Sequence, residues 1–581
     1  MFFIKPTKKT FFLFIFLLAC FVLSLIMSTG WFNVFAIETV QNITGKTLRN
    51  PYKWSCAVYN CVHIPLFISI VLLFLKFTSS GNSISSAKAK AYKNFAEFFI
   101  QKRNIIFTAF LVLFFFIAYY KIINADFYYM DDMARNMGAD DSGWMAYGRY
   151  ISEFGSVLVH GSFPLTDIGP LSQIISVVIF GFTVFILSYV ICGKEIRLLP
   201  TLGLSLLFIS PFFSQCFSYR YDNPYMTLSV LFAILPFLFR EDTKSYIYTS
   251  IIFIILSCMS YQAGTSGYIV VCMYLVLKKI INGKKEKVIS FIIVSMISFA
   301  IALVIYQVLF NCSGNSKFPK PEDVGLAATG FSVSKIIPNL KIYASFVLKG
   351  FGGLLFKFCF ILTLLQFIVL NVVKSKVGKF ISFLVIAIFI VAGFILSLGA
   401  YLVFEASMLA PRVFMGFNCF AALIVFDSLL MISEKVQKRR KLLFIPAVLC
   451  LYLSVAFLYT YGNCLTQQKD YADFRMHALI YDLSEYVSTD SGEIKVTLNG
   501  SAGYCKSYDN ARRQYPIIDS LIMRFPGSNM WDKDYAYKFN FIFDDAYLSD
   551  IPSDFIELKD SKLHAVYASP DRQVFYVELR E

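Results

Sequence analysis

Asp131 and Asp132 are adjacent carboxylates in ADFYYMDDMARNMGADDSGWMAYGRY, Ala125 to Tyr150, a stretch that directly follows a hydrophobic run. Asp126, Asp140 and Asp141 and the cations Arg135 and Arg149 share that stretch, in a chain with only 16% charged residues. Ionisable groups at a membrane boundary are costly to take from water unless they are paired or face a wet cavity, so they mark a candidate functional site. Neighbouring carboxylates raise each other's proton affinity, which makes one of them a better general base than an isolated aspartate. The chemistry that suits this set is transfer of a sugar from a lipid phosphate to a hydroxyl. A carboxylate takes the acceptor proton, and cations hold the departing phosphate. Arg135 and Arg149 are suited to pairing with carboxylate or phosphate, and Trp144 offers a ring for stacking on a sugar face. A DD pair alone reads first as helix-capping aspartates of an outer loop; the arginines and the tryptophan favour the catalytic reading.

Further polar residues fall where hydrophobic runs end. Arg220 and Asp222 lie in SYRYDNPYM, Gln262 in SYQAG, and Glu405 and Arg412 in FEASMLAPR. Each alone reads as an interfacial anchor or a structural ion pair; together with Asp131, Asp132, Arg135, Trp144 and Arg149 they outline one polar site.

The elements that must position these residues are membrane spans. The 581 residues are 57% hydrophobic with mean hydropathy +0.63, against about 45–50% apolar in soluble domains. With about 20 apolar residues needed per crossing, thirteen spans are predicted: 11–29, 61–78, 104–123, 171–192, 198–214, 225–239, 246–261, 266–282, 288–310, 351–373, 380–400, 413–432 and 442–461. The first follows Lys5, Lys8 and Lys9 without a small-residue cleavage site and reads as a retained span, not a signal peptide.

Loop charge supports the count. With the N-terminus inside, every predicted inner loop is rich in Lys and Arg, as in Lys278, Lys279, Lys284, Lys285 and Lys287 or Lys435, Lys438, Arg439, Arg440 and Lys441. The acidic stretch and the C-terminal segment then face outward. The formal charge of +15 is no sign of nucleic-acid binding, because the excess sits in these short loops: residues 462–581 hold 13 basic against 19 acidic residues. Membrane lipid, not nucleic acid, is the expected surroundings.

The organisation predicted is a polytopic α-helical membrane protein with a small C-terminal α/β domain. Residues 1–103 read as a transmembrane hairpin plus a basic cytoplasmic linker, 104–461 as a transmembrane core with outer loop 124–170, and 462–581 as an extracytoplasmic α/β domain. In that domain Asp470 to Val487 reads as a helix, Glu493 to Leu498 and Val574 to Leu579 as strands, Asp544 and Asp545 as turn residues, and Trp531, Tyr535 and Tyr537 as rings for an acceptor glycan. The thirteen cysteines contain no CxxC pair; Cys56 with Cys61, and Cys464 with Cys505, are the pairs a disulfide would join on an oxidising side. The histidines His63, His160, His477 and His564 are dispersed and offer no ligand set, although carboxylates remain able to hold a Mg or Mn ion.

The order DD, R, G, W, GR (Asp131, Asp132, Arg135, Gly138, Trp144, Gly148, Arg149), followed by LTDIGPLSQ (Leu165 to Gln173), RYDNPYM and SYQAG, resembles the O-antigen serotype-converting glucosyltransferase family of bacteria and their phages. That resemblance implies a GT-C type architecture and an undecaprenyl-phosphate-linked hexose donor, glucose. It also implies transfer to a surface polysaccharide outside the cytoplasmic membrane, with inversion at the anomeric carbon and Asp131 or Asp132 as base. A donor-lipid flippase and a donor-making transferase are the partners it implies. Competing expectations are a GT-C transferase for another sugar or acceptor, and a lipid-linked sugar flippase or transporter, which would carry its charges in mid-span.

Overall fold

The computed structural model describes residues 82–581 apart from 138–143, 145–146, 163–164, 285, 308–329, 331, 434–437, 488–493 and 528–530, with four isolated residues before them. The first two predicted spans, the Cys56/Cys61 loop, and Gly138, Asp140 and Asp141 lie outside the described residues.

The first helix described is α1 (Asn82–Phe99), whose Phe95, Phe98 and Phe99 pack on Phe185 and Tyr189. The basic linker is thus a helix anchored by its aromatic face. Then come α2 (Lys102–Ala125), the short α3 (Asp132–Asn136), α4 (Tyr150–His160) and α5 (Leu171–Cys192). The predicted fifth span is not one straight helix. It divides into α6 (Leu198–Leu204), α7 (Leu206–Ile209) and α8 (Pro211–Ser218), bent by 61°. Pro211 has no N–H to continue the preceding helix, and extended Ser210 caps the new one through the Phe212 N–H.

The core continues with α9 (Asn223–Ile234), α10 (Thr243–Ser260), α11 (Ser266–Ile281), α12 (Val288–Tyr306), α13 (Ile336–Gly350), α14 (Leu354–Lys374), α15 (Lys379–Ser397) and α16 (Met415–Ser433). Among the described residues nine helices are long and apolar enough to cross a membrane, and the bent pair makes a tenth. The chain is a multi-pass membrane protein. Helices suit this setting because they satisfy their backbone polar groups internally. Most expose apolar side chains, such as Leu354, Phe380 and Ile289, whereas α16 is almost wholly buried at the centre. Gly416 makes that possible: a Cβ there would lie 2.2 Å from the Ser397 carbonyl oxygen.

The span predicted over 442–461 and the helix predicted over 470–487 are a single element, α17 (Ile445–Ser484), 40 residues long and so about 60 Å. It leaves the membrane part still helical and becomes the spine of the C-terminal domain. There a five-stranded sheet runs in the order β2-β1-β5-β4-β3, with β1 (Lys495–Gly500) parallel to β5 (Val574–Leu579) and β2 (Asp544–Asp545). β4 (His564–Ala568) is antiparallel to β5 and to β3 (Ile556–Asp560). Asp544 and Asp545 therefore form an edge strand, contrary to the predicted turn. Two short helices, α18 (Lys506–Gln514) and α19 (Asp532–Tyr537), complete the domain. Arg475 of α17, 2% exposed, pins the spine to it by donating to the carbonyls of Ala502, Leu563 and Arg580 at 2.6–2.7 Å.

The domain sits at the end of the bundle that carries Asp131. Lys469 reaches Asp126 at 3.2 Å, and the Phe525 and Phe127 rings lie 6.3 Å apart. Tyr535 is 4% exposed, stacks on Phe525 and donates to Asp473 at 2.6 Å, so it is not open to a glycan as expected.

Candidate active site

The DD pair sits where α2 stops. Asp126, at its C-cap, takes a left-handed conformation (φ 49°), as does Met130 (φ 52°), and these two turns reverse the chain so that α3 starts at Asp132. The two aspartates point differently. Asp132 is fully buried, and its carboxylate accepts the backbone N–H groups of Tyr129 (3.1 Å), Arg220 (2.8 Å) and Tyr221 (3.2 Å). It ties the loop after α2 to the loop between α8 and α9. Burial, with the Asp222 charge added, pushes its carboxyl up to about 7 against those backbone donors. Asp131 is exposed, and its charge acts on Arg412 and Tyr147.

Around Asp132 the charges close on one another. Buried Arg135 forms an ion pair with Asp222, and its guanidinium lies 4.4 Å over the Trp144 ring. The Trp144 indole N–H also donates to Asp222. Trp144 is 1% exposed, so its ring serves Arg135 rather than standing open for a sugar as the sequence suggested. Arg220 pairs with Asp126 at 2.6 Å and Asp167 at 2.9 Å, and lies 4.7 Å over Tyr128, whose hydroxyl donates to Asp167 at 2.9 Å. The DIGPL motif supplies the space for it: a Cβ on Gly169 would come within 2.1 Å of the Arg220 guanidinium. Although burial opposes it, Arg220 and Lys469 hold the Asp126 carboxyl below its ordinary range.

A second group stays open. Arg149 donates from Nε to Gln262 at 3.0 Å and lies over the rings of Tyr261 (4.5 Å) and Tyr147 (5.0 Å). Gln262 is fixed in turn by donating to the Tyr147 carbonyl (2.6 Å) and the Tyr306 hydroxyl (2.8 Å). Arg412 donates to the Tyr219 hydroxyl, and its backbone N–H to Gln215 at 2.9 Å. Burial pushes the Arg412 guanidinium down; Asp131 opposes that and Arg149 adds to it. Among the described residues neither Arg149 nor Arg412 forms an ion pair with a carboxylate.

Nine of the ten residues singled out in the sequence thus fall into two adjoining groups, Asp132, Arg135, Trp144, Arg220 and Asp222 in one, Asp131, Arg149, Gln262 and Arg412 in the other. Glu405 joins neither. It is exposed, its side chain lies against Gly330, and its backbone N–H donates to the Gly330 carbonyl at 3.0 Å. Residues not singled out complete the site: Asp167, Tyr128, Tyr219, Gln215 and Tyr306. Asp167 was in view inside LTDIGPLSQ; the tyrosines and Gln215 carry no signal apart from lying near span ends. Among the described residues no group of three or more His, Cys, Asp or Glu is placed to hold a metal ion.

A multi-pass helical bundle with acidic and basic side chains gathered at one end is consistent with a membrane glycosyltransferase, and the sequence comparisons specify the class. Residues 120–426 match the sequence model of the family Glucosyl transferase GtrII. The chain belongs to that family, and the resemblance to the O-antigen serotype-converting glucosyltransferases holds. It is also similar to a 55.3 kDa protein encoded 5′ of gtrB in Salmonella phage P22, 21% identical over 435 residues, which are 71% of this chain and 86% of the phage protein. No solved structure matches it. The family match takes in all ten residues discussed here and ends before the C-terminal domain.

Proposed function

We propose that the chain moves glucose from an undecaprenyl-phosphate-linked donor to a surface polysaccharide such as O-antigen, with inversion, on the outer side of the cytoplasmic membrane. Asp131 is the base. It takes the proton of the acceptor hydroxyl as that oxygen bonds to the anomeric carbon; the bond from this carbon to the phosphate oxygen breaks, and its electron pair leaves with the lipid phosphate. Arg149 and Arg412 receive the phosphate charge. Asp132, Arg135, Arg220 and Asp222 position the loops that carry them. A GT-C type core over 104–461 and an extracytoplasmic domain over 462–581 belong to this reading, as do a donor-making transferase and a donor-lipid flippase acting beforehand.

The observation that carries it is the pair of arginines that, among the described residues, have no carboxylate partner, beside an exposed aspartate. Cations that fold without a counter-ion are available for an anionic ligand, whereas neighbouring arginines already paired are not. Outward orientation is supported by the Lys/Arg-rich loops at the other end of the bundle.

The test supplies membranes containing the protein with labelled undecaprenyl phosphate glucose and, separately, a labelled nucleotide glucose, with polysaccharide as acceptor. Transfer from the lipid donor alone is expected. Transfer from the nucleotide sugar in membranes stripped of polyprenyl phosphate would overturn the donor assignment. No transfer from any lipid-linked hexose, together with protein-dependent passage of the lipid across vesicles, would replace catalysis by transport.

A further inference from the structure

Cys464 and Cys505 meet where the C-terminal domain is fastened to the membrane core. Cys464 lies on α17 two residues beyond Gly462, which crosses α2 so closely that a Cβ there would lie 2.6 Å from the Lys121 carbonyl carbon. Cys505 is the residue before α18. Gln468, one helical turn past Cys464 on the same face of α17, accepts the Cys505 backbone N–H at 2.8 Å and donates to the Gly503 carbonyl at 3.5 Å. The two thiols are 2% and 7% exposed and close enough to act on each other.

We propose that Cys464 and Cys505 are joined by a disulfide in the mature protein, which locks the C-terminal domain onto the helix that rises from the membrane core. The inference rests on the outward orientation given above, because cytosolic thiols are kept reduced. Chemistry favours the cross-link. Beside Cys464 the Cys505 thiol is held below its ordinary value; burial opposes this and the Ser507 hydroxyl, 3.2 Å from its sulfur, supports it. Cys505, at the start of α18, attacks the disulfide of a protein thiol oxidase as its thiolate before α18 packs down, forming a mixed disulfide. Cys464 then displaces the oxidant from the mixed disulfide. One S–S bond forms, the two thiol protons leave, and the electron pair reduces the oxidant to its dithiol.

The lock lies close to the site. Lys469, just over one helical turn past Cys464, holds Asp126, which in turn holds Arg220. A pair buried between two elements and linked through Gln468 is placed to fix that register, whereas the other described cysteines are scattered through the spans.

The full-length protein in its native membranes is denatured with N-ethylmaleimide to cap every free thiol, digested, and analysed by mass spectrometry before and after reduction. Orientation is read separately, by labelling a Tyr547→Cys variant, at a site 86% exposed in the C-terminal domain, with a membrane-impermeant maleimide in intact spheroplasts. The expected result is a linked peptide pair containing Cys464 and Cys505 that separates only on reduction, with position 547 labelled from outside. Capped Cys464 and Cys505 with position 547 labelled would overturn the disulfide and leave the orientation standing. Capped thiols with position 547 protected until the membrane is opened would overturn both.

Discussion

The two charged groups at the site end are built from the same residue types and differ in one respect. Around Asp132 every charge has a partner: Arg135 with Asp222, Arg220 with Asp126 and Asp167, and Asp132 with three backbone N–H groups. Around Asp131 they do not: among the described residues Arg149 and Arg412 form no ion pair with a carboxylate, and their hydrogen bonds and ring contacts go to neutral groups, Gln262 and tyrosines. A buried ion pair adds little net stability but is costly to break, so it suits a part that holds still. A cation fixed by neutral hydrogen bonds and rings keeps its charge for a ligand. Charge alone does not mark a reacting group; what matters is which charges are already satisfied.

The largest expected effect falls on the closed group. Asp222→Ala leaves buried Arg135 without its carboxylate and is expected to cost about 3–5 kcal/mol of stability, seen as a lowered thermal midpoint and a smaller yield of folded protein in mild detergent. Next come the open arginines. Arg149→Ala or Arg412→Ala is expected to slow transfer by about 10²–10³-fold, the range for removing one group that stabilises developing charge, while the thermal midpoint stays near wild type. Lysine at either position recovers part of the rate. If the alanine variants instead unfold and the Asp222 variant folds normally, the assignment of the two groups is reversed.

Gly169→Ala probes how the groups meet. The added Cβ would overlap the Arg220 guanidinium, and overpacking of this kind costs about 1–3 kcal/mol; the midpoint should drop, with transfer per folded molecule reduced but present. The smallest effect is one of pH. The Asp132 carboxyl sits at about 7 when folded, above its unfolded value near 4. Its contribution is therefore complete below about pH 4 and lost as pH rises through about 7. Thermal midpoints of wild type should decline across that window relative to Asp132→Asn, which has no carboxyl to titrate there.

Much of the architecture could be read from the chain because bilayer thickness imposes a length on apolar runs. Of the eleven spans predicted from 104 onward, nine correspond to helices long enough to cross a membrane and 198–214 to the bent pair, whereas 225–239 corresponds to a shorter apolar helical stretch, Asn223–Phe239. The bend before Pro211 and the continuity of α17 were missed for one reason: hydropathy reports where a segment lies, not whether its backbone continues. At Tyr461 composition turns polar while the helix runs on to Ser484. The site residues were legible as types and span-end positions, but not as roles. Asp131 and Asp132 are neighbours of identical chemistry, separated only by backbone donors at Arg220 and Tyr221, which belong to a distant loop. Trp144 looked like a sugar platform because nothing local reveals that Asp222 takes its indole N–H. Glu405, at a span end like the others, rests against Gly330 instead of the arginines.

The difference between the two aspartates is tested most directly by comparing two variants. Asp131→Asn and Asp132→Asn are assayed for glucose transfer from the lipid donor, per molecule of folded protein, with the thermal midpoint measured on the same preparations. Asp131→Asn is expected to keep the wild-type midpoint and lose about 10²–10⁴ in rate, the range for a missing general base, while Asp132→Asn melts earlier but retains transfer in the fraction that folds. An Asp131→Asn enzyme of near wild-type rate beside a stably folded, inactive Asp132→Asn enzyme would contradict the assignment of Asp131 as the base.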